Sequence, residues 1–145
     1  MPFMIYALVL LCLFVTLYDL RYRRVPNWIT LPLMQIGFVA NFPGAPALWF
    51  GSTLLLTAWG SGWMGGGDVK LWVGLLWCTF SFCGDVVALV MFITLIVTSM
   101  AQILVRILLK KKDVTGIKLP GAWRALAFLI FLSIYPATEL YYARF

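Results

Sequence analysis

Six apolar runs separated by short polar links make up nearly the whole chain, at residues 3–18, 28–40, 45–60, 69–82, 86–105 and 123–142. A helix needs about 20 residues to cross a ~30 Å hydrocarbon core at ~1.5 Å per residue. The first, fifth and sixth runs come close to that length. The second, third and fourth fall short, so they must draw in flanking residues or sit in a thinned bilayer. The links carry turn chemistry and charge: Arg21, Arg23 and Arg24 after the first run, Asn41-Phe42-Pro43-Gly44 after the second, and Gly62-Trp63-Met64-Gly65-Gly66-Gly67 before the fourth. Ser81 to Asp85 leads into the fifth run, and Arg106, Lys110, Lys111, Lys112 and Lys118 fill the longest polar link. The pattern predicts an all-α, polytopic integral membrane helical bundle of about six transmembrane helices, forming a single membrane-embedded domain over residues 1–145.

Composition strengthens this picture. The chain is 63% hydrophobic and 11% charged, whereas soluble domains run near half apolar and about a quarter charged. Too little polar surface remains to face water, so the principal partner is the lipid bilayer. The first run has no basic segment before it and no small-residue cleavage site after it, which fits a retained span better than a removed signal peptide. Seven tryptophans, among them Trp28, Trp49, Trp59, Trp63 and Trp123, fall mostly near run ends, as in an interfacial aromatic belt.

The net charge of +6 is a topology signal. With alternating sides, the links after runs one, three and five and the residues beside them collect Arg21, Arg23, Arg24, Lys70, Arg106, Lys110, Lys111, Lys112, Lys118 and Arg124. The other side receives Arg144 alone. Such asymmetry predicts a cell (inner) membrane protein with its N-terminus outside and the basic links cytoplasmic. It offers no long soluble basic face, so no nucleic-acid partner is expected.

Few residues can do chemistry. The three cysteines, Cys12, Cys78 and Cys83, form no CxxC pair, and the chain contains no histidine. No metal site, disulfide framework or cofactor is therefore expected, and small apolar packing accounts for the cysteines. Without a histidine base, serine or cysteine catalysis loses its usual partner. Of the five acids, Asp19, Asp68, Asp85, Asp113 and Glu139, the first two stand at the ends of apolar runs and on the same side of the proposed topology. Ionisable groups at a membrane boundary are candidates for function. Two carboxylates held close share a proton, so one can activate water while the other protonates a departing amide. Taken singly, each aspartate is also explained as a mere span-end residue.

The local sequences carry more information. The chain reads Asp19-Leu20-Arg21-Tyr22-Arg23-Arg24-Val25-Pro26-Asn27 around the first aspartate and Gly65-Gly66-Gly67-Asp68-Val69-Lys70 around the second. Lys118-Leu119-Pro120-Gly121-Ala122 precedes the last run. In order and spacing these elements resemble the type IV prepilin peptidases, GxGD aspartic peptidases of the membrane. The resemblance implies that Asp19 and Asp68 are catalytic, and that Gly65, Gly67, Lys70, Arg21, Pro26 and Asn27 support the site or bind substrate. It also implies that prepilin or pseudopilin precursors lose a short leader at the cytoplasmic membrane face. Longer members of that family add a cytoplasmic segment with paired CxxC motifs and methylate the new N-terminus. No such segment is present here, which looks like the short, peptidase-only form similar to those of Flp-type pili. The glycines have a physical reading of their own, since a bare backbone admits close approach and unusual dihedrals.

Tyr18-Asp19 and Pro46-Ala47-Leu48 imitate motifs of presenilin-like proteases, but their order is wrong and the chain too short. Asp85 and Glu139 map to the opposite side, and Asp113 sits among lysines, where a solvated ion pair suffices. Lys70 either steadies Asp68, meets a substrate carboxylate, or only marks the inside. The rival classes are a small transporter or proton channel using Asp19 and Asp68, a noncatalytic membrane scaffold, and an archaeal-type preflagellin peptidase.

Overall fold

Local backbone chemistry sets the helix limits in a computed structural model that describes residues 2–109 and 123–142. Helix α1, Pro2–Tyr22, runs one turn past Asp19. It stops where Arg23 takes a positive φ of 53° while its N–H still reaches the Asp19 carbonyl, 2.7 Å away. The charged residues begin earlier than the helix ends, because a charge does not break a helix and a left-handed residue followed by proline does. Pro26, in an extended conformation, then caps α2, Asn27–Asn41. The next turn closes at Gly44, whose φ of 79° suits a residue without Cβ. Helix α3, Pro46–Gly60, opens with proline in its first turn, where the missing N–H costs nothing. Helix α4, Gly66–Cys83, is closed by Gly84 at a φ of 59°. Helices α5, Val86–Leu109, and α6, Trp123–Tyr142, complete the bundle. The Lys110–Lys112 link, Asp113, the Lys118–Ala122 element and Arg144 lie outside the described residues.

Among the described residues, Ile5–Tyr22 and Val86–Val105 are long and apolar enough to cross a membrane on length and composition alone. Helices α2 and α3 have 15 residues each and rise only about 22 Å. A bilayer around them must thin, or the adjoining loops must dip into it.

Helix α4 is the axis of the bundle. Its residues Leu71 to Thr79 are all buried, the mark of a helix surrounded by protein. It packs against α2, α3, α5 and α6, while α1 lies on α6. The closest pairing is the parallel one between α2 and α4. There, a Cβ built on Gly37 would sit 2.8 Å from Trp77 Cβ and 2.9 Å from the Cys78 backbone nitrogen, and one on Gly74 would sit 3.1 Å from Leu33 Cγ. Small residues thus bring two backbones together where lipid gives no hydrophobic drive.

The buried positions on α1 are Ile5, Leu8, Cys12, Val15, Thr16 and Asp19. Steps of three and four keep them on one face, so Asp19 extends the core-facing stripe of its helix. On α5 the buried stripe runs Val87, Met91, Thr94, Thr98, Gln102. On α6 it is Ala125, Phe128, Leu129 and Leu132.

Candidate active site

Every polar residue that the sequence singles out near Asp19 and Asp68 falls at one end of the bundle. Here α1 ends, α2 and α4 begin, and α5 and α6 meet. Asp19 arrives on the inward stripe of α1 and is only 6% exposed. Asp68 is in the first turn of α4 and half-buried. The two carboxylates lie within electrostatic reach of each other. Asp68 has the positive end of its own helix behind it, and Asp19 sits in the last turn of α1, near the negative end. Asp85 is exposed at the opposite end, in the turn between α4 and α5.

The glycines before Asp68 are not equivalent. A Cβ on Gly67 would come 2.9 Å from Val25 Cβ, so the link after α1 rests directly on this position. Gly66 faces Trp59, whose Nε1 would be 3.2 Å from an added Cβ. At Gly65 the nearest atom is Asp68 Oδ2 at 3.6 Å, an ordinary contact. Packing therefore dictates glycine at 67, and leaves position 65 open to whatever approaches Asp68.

Two other residues that the sequence grouped with the site meet each other. The Lys70 Nζ donates to Asn27 Oδ1 at 3.2 Å, tying the first turn of α2 to the second turn of α4. Pro26 is buried, and its carbonyl accepts the backbone N–H groups of Ile29 and Thr30 at 3.2 Å each. Arg21, Arg23 and Arg24 are all exposed, with the Arg21 guanidinium 5.5 Å from the centre of the Tyr22 ring. The three arginines are thus placed to meet headgroups or a polypeptide at the rim.

Sequence reasoning missed Arg124 and Gln102. Arg124 was counted only as a topology charge, yet it acts electrostatically on Asp68 and its Nη2 donates to Gln102 Oε1. Gln102 is buried on α5. A glutamine in this run was the available signal, since Thr94 and Thr98 bond back to their own helix whereas a buried glutamine in a membrane helix needs a partner elsewhere. The ring contact between Trp72 and Phe128, at 5.4 Å, fixes the level of α6 against α4.

No curated protein and no solved structure gives a significant match to the chain. Over residues 6–106, which run from α1 to beyond Gln102 and take in both aspartates, the sequence matches the model of the type IV leader peptidase family, and the chain belongs to that family of membrane-embedded aspartic prepilin peptidases.

Proposed function

We propose that Asp19 and Asp68 are the catalytic pair, and that they cut the leader from type IV prepilin or pseudopilin precursors at the cytoplasmic membrane face. One observation carries this reading. Two acids from separate helices converge at one end of the bundle, within electrostatic reach of each other, while Asp85 stands at the other end. Two such carboxyls hold one proton between them, because a second negative charge is strongly disfavoured. The ionised member takes a proton from water as its oxygen bonds to the scissile carbonyl carbon. The protonated member donates to the carbonyl oxygen. When the C–N bond breaks, the amide nitrogen leaves with a proton returned by the pair.

The other site residues then have distinct parts. Gly65 leaves room for an extended substrate backbone, and Gly67 allows the Val25 link to close over the site. Lys70 and Asn27 lock α2 to α4 behind it, Pro26 fixes where α2 starts, and Arg21 faces the rim. In this reading all of residues 1–145 form one membrane domain, the N-terminus is outside, and the enzyme is a peptidase without methyl transfer.

The test is cleavage of a prepilin by the purified, detergent-solubilised protein. Asp19→Asn and Asp68→Asn should each lower the rate by about 10²–10⁴-fold or more, as expected for loss of a general acid or base. Both should insert and melt like the parent, and Asp85→Asn and Glu139→Gln should cleave near normally. Substantial cleavage by either dyad variant would refute the assignment.

A further inference from the structure

Arg124 occupies a place where a cation is electrostatically unwelcome. It is the second described residue of α6, at the positive end of the helix dipole, and no acidic residue lies in the first turn of α6 to offset it. It is also half-buried. A topology marker could reach out to the headgroups, yet the Arg124 guanidinium is held back by Gln102, itself buried on α5.

The register of the neighbouring helices shows what compensates it. Trp72 on α4 touches Phe128 on α6. Both helices run from the aspartate end, so the residues one turn earlier on the same faces stand at the same level. Those residues are Asp68, four before Trp72, and Arg124, four before Phe128. Helix α6 also packs against α1, the helix that carries Asp19 in its last turn.

We infer that Arg124 is a positioning residue of the cleavage site: its guanidinium, oriented by Gln102, is the fixed countercharge for the single negative charge of the Asp19–Asp68 pair. This rests on the catalytic assignment above and adds to it a role for α5 and α6. Of the other charged groups with described side chains, Lys70 on α4 is engaged with Asn27, and Arg21, Arg23 and Arg24 are exposed. Neither α2 nor α3 contains a charged residue, and the remaining charge on α5 is Arg106, four residues beyond Gln102. A fixed cation favours the ionised form of a nearby carboxyl and so lowers both proton affinities of the pair. Losing it must move both limbs of the pH–activity profile to higher pH.

The experiment is the pH profile of kcat/KM for prepilin cleavage by purified protein carrying Arg124→Gln, Arg124→Lys or Gln102→Leu. One substrate is used throughout, so its own titrations cancel. Arg124→Gln should move both limbs upward by about one pH unit, lowering kcat/KM on the acid side about tenfold. Arg124→Lys should restore most of the limb positions, and Gln102→Leu should give a smaller shift in the same direction. If Arg124 merely packs or binds a lipid phosphate, activity or insertion falls while the limbs stay put, which overturns the inference. Should Arg124→Gln fail to insert, an unmoved profile in Gln102→Leu overturns it equally. Retained cleavage in Asp19→Asn or Asp68→Asn would instead bring down the catalytic assignment itself.

Discussion

The two ends of this bundle are built differently. At the end away from the aspartates, Asn41 donates to the carbonyls of Gly37 at 3.1 Å and Trp77 at 2.7 Å, and accepts from Ser81 at 2.8 Å. Phe38, Trp49 and Trp77 cluster with ring centres 4.9–6.1 Å apart, and the Trp49 indole donates to the Pro43 carbonyl. Gly44 packs on Trp77. At the aspartate end, the described cross-helix hydrogen bonds between side chains are Lys70 to Asn27 and Arg124 to Gln102, while Trp63, at 85% exposure, stands in the open. One end is stitched by neutral hydrogen bonds and aromatic packing. The other gathers charge and leaves room. In the proposed reading, stability and chemistry are thereby separated along the helix axis, the close α2–α4 packing supplying the first and the charged end the second.

The sharpest break of this division is Gly37→Ala. Its methyl would press on the Cys78 backbone nitrogen and Trp77 Cβ, neither of which can rotate away. Overpacking of this kind costs about 1–3 kcal/mol. The expected result is a lower Tm in detergent, with the protein that remains folded cleaving at a normal kcat.

Gly67→Ala should do the reverse. The added Cβ displaces Val25, and with it the link that follows Asp19, so kcat falls several-fold while Tm moves little. A Gly67→Ala, Val25→Gly double variant should regain activity, because it removes the Val25 Cβ that the new methyl would meet at 2.9 Å. Gly65→Ala is expected to fold normally and raise KM, as its Cβ meets only Asp68 Oδ2 at an ordinary distance. Equal loss of Tm in all three would erase the difference between the ends.

Asn41→Ala gives the smallest effect. Its bond to the Gly37 carbonyl lies within its own helix and its bond from Ser81 is exposed, so the cost is set by the one bond across to the Trp77 carbonyl, worth about 0.5–1.5 kcal/mol net. A fall in Tm with unchanged kcat and KM is expected, and altered kinetics would show that the aromatic end reaches the site.

How much of this was legible follows from the kind of signal involved. The helices were readable because apolar runs separated by charge and turn residues are local features, and the GxGD stretch was readable because its residues are contiguous. The end of α1 was displaced by a turn, since it depends on the Arg23 dihedral and Pro26 rather than on charge. The inward stripe of α1 was there to be seen in the spacing of Ile5, Leu8, Cys12, Val15 and Asp19, and it predicts a buried carboxyl. What could not be read was pairing. Lys70 and Asn27 are 43 residues apart, and Gln102 and Arg124 are 22 apart across a helix junction. The packing of α4 on α6 is what brings Arg124 to the level of Asp68.

The central claim is that Asp19 and Asp68, delivered by α1 and α4, act as one unit. A double-mutant cycle on the cleavage rate tests it directly, comparing Asp19→Asn, Asp68→Asn and the double variant in one assay with a detection limit below the single-variant rates. Residues that function as a unit lose nearly everything with the first removal. The double variant is therefore expected to be no slower than the slower single. Losses that multiply, with the double variant slower by the product of the two single effects, would mean that the two carboxyls contribute independently and would contradict the account.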